Sequence, residues 1–300
     1  VSFFNKIIVA IVQLMPKAMV GFFSKRYIAG ETLDSAIKMV KSLNNKGIYA
    51  TIDVLGESVN NKEEAIEAKN KAIEVLNTIE KEKLKANLSI KPTQMGLNLD
   101  TDFAFIQVKE LVEKAKQLSN FIRIDMEDSP FTDATINLYK KLIENYDNIG
   151  IVVQAYLKRT FDDVVVLNKF GTNYRLCKGI YIEPASIAYK DREKVRENYL
   201  KVLELILKSD NYVGIATHDD FLINSAKKMI KQLKVPKDKF EFQMLLGVRE
   251  DRRDKTNSEG YKIRIYVPFG KDWYPYSVRR LKENPQIAGY VFKSLFSLNK

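Results

Sequence analysis

Eight short β-rich runs recur along this 300-residue chain, with helical stretches between them. The runs are Ile48–Val54, Leu88–Lys91, Phe121–Met126, Ile149–Ala155, Tyr174–Cys177, Val213–Thr217, Phe240–Leu245 and Ile263–Val267. Each is rich in Ile, Val, Phe or Tyr and is bounded by Gly, Asn, Asp or Pro, the pattern of a short buried strand. Eight such runs alternating with helices predict parallel βα units that close on themselves, a distorted (β/α)8 barrel of the TIM type. A doubly wound open sheet is the rival. It usually carries a Gly-rich turn after its first strand, and none of the 13 glycines here forms a G-x-G pair.

At roughly 150 residues per domain the length suggests two domains, but α/β barrels reach about 250 residues as one. With no low-complexity linker and no internal repeat, we expect one barrel over residues 47–300, preceded by a helical extension over 1–46. Within that extension, Phe3 to Met19 is apolar but broken by Lys6, Gln13, Pro16 and Lys17. It is too short and interrupted for a spanning helix, and it lacks the charged start and small-residue cleavage site of a signal peptide. We expect an amphipathic helix, packed on the barrel or lying on a membrane surface. In the barrel, Ile66, Ile73, Leu76 and Ile79 are expected to share one helix face, as are Val195, Tyr199, Val202 and Ile206. A further helix is expected from Thr132 to Tyr146, after Ser129-Pro130.

One cysteine, Cys177, precludes an internal disulfide and fits a reducing, cytoplasmic setting. One histidine, His218, precludes a multi-histidine metal site. The net charge of +11 points towards an anionic partner, yet the lysines alternate with glutamates, as in Asn61-Lys62-Glu63-Glu64, and read mainly as a solvated surface.

In a barrel of this kind chemistry sits at the C-terminal ends of the strands. Those ends carry Lys91, then Asp125 and Glu127, then Gln154, then Arg175 and Lys178, then Thr217-His218-Asp219; Gln243 lies in the seventh run and Tyr266 closes the eighth. Strand interiors are normally apolar, so a polar group in nearly every run requires a reason. Each residue also has a plain structural reading. Asp125 could cap the following helix, His218 could be a satisfied core histidine, Gln154 could serve loop backbone, and Cys177 reads as a small buried hydrophobe. Their convergence on one rim favours an enzyme.

A second cluster follows the last run. Trp273 to Lys282 reads as a short helix on which Tyr276, Arg279 and Arg280 stand at i, i+3 and i+4. A guanidinium fork grips a carboxylate in two places, at about 1.5–3 kcal/mol per charge-assisted bond. Two arginines with Lys91 would suit a small anionic substrate.

The segment Arg279-Arg280-Leu281-Lys282-Glu283-Asn284-Pro285, with Tyr266-Val267-Pro268-Phe269-Gly270 and Trp273-Tyr274-Pro275-Tyr276 before it, resembles the C-terminal signature of proline dehydrogenases. The likeness recurs at Arg175-Leu176-Cys177-Lys178-Gly179, at Ala216-Thr217-His218-Asp219 and at Phe240-Glu241-Phe242-Gln243. It spans the chain from the first strand to the end, and we expect the stand-alone form of the enzyme, without an aldehyde dehydrogenase segment. The resemblance implies an FAD-dependent enzyme that oxidises L-proline to Δ1-pyrroline-5-carboxylate by hydride transfer to flavin N5. It further implies that electrons pass to a quinone, with peripheral attachment to the inner face of the membrane.

Carried over residue by residue, the resemblance assigns the proline carboxylate to Arg279 and Arg280 with help from Lys91, and the ring to Tyr266, Tyr276 and Leu245. Asp125 matches the acidic residue beside the substrate; it is a candidate for taking the amine proton, but its place favours orienting Lys91. Arg175 matches the arginine near flavin N5, where positive charge stabilises the reduced flavin. Met126, Gln154, Lys178, Gly179, Ile180, Thr217 and His218 match flavin contacts. Ile180 and Cys177 stand where other small or apolar residues are common in the family. Two other readings remain: a Schiff-base lyase or aldolase using Lys91 or Lys178, and a basic non-catalytic module for nucleic acid or membrane. The rim carboxylates speak against the module and against a nucleic-acid partner. The oligomeric state is not legible in the sequence.

Overall fold

The strands pair in sequence order and the eighth returns to the first. They are β1 (Tyr49–Val54), β2 (Ala86–Ile90), β3 (Ile122–Ile124), β4 (Ile149–Gln154), β5 (Asn173–Cys177), β6 (Tyr212–Ala216), β7 (Phe240–Leu245) and β8 (Ile263–Phe269), all parallel. The computed structural model describes residues 20–21, 24, 26–56, 58–274 and 276–278. Each predicted run lies on a strand. The third is the most shortened, because beyond Ile124 the chain turns into a loop where Glu127 accepts hydrogen bonds from Thr93 N at 2.8 Å and Thr93 Oγ1 at 2.6 Å.

Helix α1 (Leu33–Asn45) precedes β1 and packs on β1 and β8 through Ala36, Ile37, Val40 and Leu43, joining the same core as the barrel. The amphipathic stretch expected over residues 3–19 lies outside the described residues. Between successive strands run α2 (Lys62–Lys81), α3 (Thr101–Gln117), α4 (Thr132–Ile143), α5 (Thr160–Leu167), α6 (Arg192–Lys208), α7 (Asp220–Gln232) and α8 (Glu250–Ser258). Several open on a side chain that accepts a free backbone N–H: Asn61 from Glu64, Asp191 from Lys194, Asp219 from Phe221. On α6 Tyr199, Val202 and Ile206 are buried as expected. On α2 the expected face is corrected. Ile66 is 40% exposed, and the helix lies down on Ala65, Ala68, Ala72, Val75, Leu76 and Ile79. Alanines let the helix approach the sheet closely, which rotates Ile66 out of contact.

The strands are two-sided. Ile52, Leu88, Ile124, Val153, Leu176, Ile215 and Phe242 join the helices in one continuous apolar core. Their neighbours in the period-two alternation are polar and line the barrel interior. Thr51 and Asp53, Asn87 and Ser89, Arg123 and Asp125, Asn173 and Arg175, Glu241 and Gln243, Arg264 and Tyr266 are i, i+2 pairs carried by six of the strands, with Asp125 one residue past the end of β3. The remaining two strands yield space. A Cβ on Gly150 of β4 would fall 2.4 Å from Arg123 Nη1, and one on Gly214 of β6 would fall 2.2 Å from Gln243 Nε2. Small residues on alternate strands thus make room for long polar ones, the layered filling of such barrels carried out with charges.

Candidate active site

At the C-terminal end of the interior, Asp125 is the hub. Its Oδ1 accepts hydrogen bonds from Ser89 Oγ at 2.6 Å and Arg175 Nη1 at 2.8 Å, and its Oδ2 accepts one from Tyr266 Oη at 2.9 Å. Three donors occupy the carboxylate, and none belongs to a helix start, so Asp125 is no cap. Arg175, 7% exposed, also lies over the Tyr266 ring at 5.2 Å. Burial, with Asp125 and Asp53 adding to it, pushes the Tyr266 phenol well above its ordinary value, so the proton stays on Oη and points at Asp125.

Lys91, 6% exposed, donates from Nζ to Asp53 Oδ1 at 2.7 Å, and Asp53 itself is 1% exposed. Burial opposes the ammonium, but Asp53 and then Asp125 outweigh it and hold the Lys91 pKa above the ordinary lysine value. Burial in turn pushes Asp53 up, against the pull of Lys91. Asp125 is therefore near enough to act on Lys91 electrostatically, whereas the carboxylate bonded to it is Asp53. A lysine held so firmly protonated is a charge for gripping an anion and a poor amine nucleophile.

A second group sits on the neighbouring rim. Asp219 is paired with Arg196 at 2.8 Å, Arg192 at 3.6 Å and Lys178 at 3.7 Å. Burial lowers the Lys178 pKa, with Asp219 opposing. Thr217 Oγ1 accepts the Asp219 N–H at 3.2 Å, and His218 Nε2 accepts the Leu245 N–H at 2.9 Å. After β5, Gly179 has φ +103°, and a Cβ there would meet the Tyr156 ring at 2.0 Å, so only glycine lets the chain pass. Ile180 follows it, half-buried.

Across the mouth Gln154 donates from Nε2 to the Met126 carbonyl at 3.2 Å, while its buried Oε1 has no partner among the described residues. A buried acceptor left open is costly unless a ligand N–H fills it. That open acceptor, the Lys178 and Arg175 charges and the glycine-lined turn suit the ring and phosphates of a flavin nucleotide. Tyr276 is buried at the same end against Ile28 and Leu55. Arg279 and Arg280 lie outside the described residues. The structure therefore brings Lys91, Asp125, Arg175, Tyr266, Met126 and Gln154 to one mouth and sets Lys178, Thr217, His218 and Leu245 beside it. Among the described residues no three His, Cys, Asp or Glu side chains cluster to hold a metal ion.

The proline dehydrogenase family model matches residues 36–292. The chain belongs to the proline dehydrogenase family. It is 36% identical over 272 residues to proline dehydrogenase 1 of Bacillus subtilis, covering 91% of this chain and 90% of that protein. It is 34% identical over 289 residues to the proline dehydrogenase of Deinococcus radiodurans, covering 95% and 93%. Among solved structures, proline utilization A from Bdellovibrio bacteriovorus inactivated by N-propargylglycine superposes with a TM-score of 0.81 at 26% identity. That likeness covers 87% of this chain and 32% of that one, so this chain spans about a third of the larger protein's length.

Within this family frame, Asp53, Ser89, Glu241 and Arg264 are the interior residues that strand-end reading overlooked. Their signal was present as the i, i+2 polar pairs, since attention to the last residue of each run passes over Asp53 and Ser89 just before the run ends and Glu241 and Arg264 deeper within theirs. Asp53 is the most consequential of them, because it neutralises Lys91.

Proposed function

We propose that the chain oxidises L-proline to Δ1-pyrroline-5-carboxylate at the C-terminal mouth of the barrel, the first step of proline catabolism, with FAD as its flavin. The observation that carries this reading is the buried Arg175–Asp125–Tyr266 constellation beside the Lys91–Asp53 pair, in a chain of this family. FAD, when bound, supplies the acceptor for the hydride that leaves the ring carbon beside nitrogen.

The chain's own residues supply position and charge. Lys91 offers a permanent ammonium to the substrate carboxylate, and Arg279 and Arg280 add the two-pronged grip. Tyr266, Tyr276 and Leu245 enclose the ring. The substrate amine must be neutral, since a protonated nitrogen has no lone pair to give to the forming C=N bond. Asp125 already accepts three hydrogen bonds, which suits orientation better than proton removal. Gln154, Met126, Lys178, Gly179, Ile180, Thr217 and His218 are the residues that would hold the flavin, and Arg175 would place its guanidinium beside it.

Electrons then pass to a quinone, and residues 3–19 serve as a peripheral contact with the cytoplasmic face of the membrane. No helix among the described residues is long and apolar enough to cross a membrane. Division of the chain into a 1–46 extension and a 47–300 catalytic barrel is part of the same proposal.

The test is a visible spectrum of the purified protein, with flavin absorbance that bleaches on adding L-proline. A colourless protein whose lysine is trapped by borohydride with a carbonyl substrate would overturn the reading in favour of a Schiff-base enzyme. In the flavin-loaded enzyme Arg280→Met is expected to raise KM for proline sharply with FAD retained. An unchanged proline KM with lower kcat would refute the carboxylate grip.

A further inference from the structure

We propose that Gln243 is a positioning residue for Arg175, and that Glu241 and Arg264 form the base that keeps its amide the right way round. The proposal rests on the reading of Arg175 as the guanidinium beside the flavin. Arg175 is held at two of its three nitrogens. Its Nε–H donates to Gln243 Oε1 at 2.6 Å, and its Nη1 donates to Asp125 Oδ1 at 2.8 Å and to Ser89 Oγ at 3.2 Å. Among the described residues Nη2 makes no hydrogen bond, so the fork is pinned on two sides with its third nitrogen left for a ligand.

The pin at Nε works only if the Gln243 amide points one way. Its Nε2 donates to Glu241 Oε1 at 2.7 Å. Glu241 also accepts from Arg264 Nε, lies 3.3 Å from Lys262 Nζ, and is 1% exposed. Arg264 is itself anchored through Nη1 to the Ala50 carbonyl at 2.8 Å. An ionised carboxylate only accepts and a guanidinium only donates. Placed between them, the amide has one satisfying orientation, because a flip would set N–H against N–H and oxygen against oxygen. Burial alone would raise the Glu241 pKa, but Arg264 and Lys262 bring it down to about 2, so it remains the obligate acceptor. Space is reserved for this arrangement as well. Gly214 on β6 lies where any Cβ would come within 2.2 Å of Gln243 Nε2. Donor and acceptor direction is thereby handed up the interior, from Arg264 through Glu241 and Gln243 to Arg175.

The test compares Gln243→Leu, Glu241→Leu and Glu241→Gln with the wild-type holoenzyme. Gln243→Leu removes the acceptor at Arg175 Nε with little change in volume. It is expected to retain FAD and proline KM, to lose kcat by about tenfold to a hundredfold, as for other small misplacements, and to shift the flavin couple at least tenfold towards the oxidised form, about 30 mV for two electrons. Glu241→Gln keeps an acceptor for the Gln243 amide and should recover most of what Glu241→Leu loses. The flavin-free readout is proton exchange at the 15N-labelled Arg175 Nε–H, slow in wild type and fast in Gln243→Leu. An unchanged exchange rate, or a Gln243→Leu enzyme with wild-type potential and kcat and only lower thermal stability, overturns the proposal. If the wild-type protein shows slow exchange but binds no FAD, the assigned function fails and the positioning contact stands.

Discussion

Glu241→Gln gives a stability signal whose size and pH dependence follow from the site. Glu241 is buried in the barrel, and Arg264 and Lys262 lower its pKa from an ordinary 4.5 to about 2. The folded value lies below the unfolded one, so the carboxylate's stabilisation is fully present above about pH 5 and is lost as pH falls through 2. Integrated over that interval, the linkage amounts to about 3 kcal/mol at pH 7 and about 1.5 kcal/mol at pH 3. The amide of Glu241→Gln keeps the shape but does not titrate. Urea unfolding followed by far-UV circular dichroism, at constant ionic strength and at pH 7, 5 and 3, gives the free energy of each protein. All other carboxylates titrate alike in both, so subtracting the variant from wild type isolates Glu241. The difference should be near 3 kcal/mol at pH 7 and fall to about half at pH 3. A difference that stays flat from pH 7 to pH 3, or a variant as stable as wild type, would refute the argument that Glu241 is held ionised by its cations.

Lys91→Met strands Asp53 as a buried, unpaired carboxylate and should cost about 3–5 kcal/mol in urea unfolding; adding Asp53→Leu should recover much of that loss, and additive effects of the two changes would contradict the ion pair. Tyr266→Phe removes the hydrogen bond to Asp125 Oδ2 and is expected to lower stability by about 1.5–3 kcal/mol, read from the denaturation midpoint. Gly150→Ala drives a methyl group to within 2.4 Å of Arg123 Nη1 and the Asn173 carbonyl, and should destabilise by about 1–3 kcal/mol; a crystal structure with Arg123 undisplaced would show that the packing argument is wrong.

Much of the fold was legible because buried parallel strands and amphipathic helices write their periods into the chain. Tyr199, Val202 and Ile206 occupy the buried face that their spacing announced, and every β-rich run fell on a strand. Ile66 misled because spacing reports which residues share a side, while close alanine packing decides how the helix rolls on the sheet. At the site, Lys91, Asp125, Arg175 and Tyr266 were visible as polar residues at strand ends. Asp53 and Glu241 were less visible, since an isolated acid in a strand is chemically ambiguous until its partner is known.

The sequence by itself determined the eight-fold βα alternation, the polar residues carried by the strands, and the family to which they point. Pairing was decided only in three dimensions. Groups distant in the sequence meet inside the closed barrel, so Lys91 meets Asp53 on the neighbouring strand across 38 residues, Arg175 meets Gln243 across 68, and Tyr266 meets Asp125 across 141. Closure of the barrel sets which charges neutralise one another, because within its buried interior a charge is tolerated only opposite the group that compensates it.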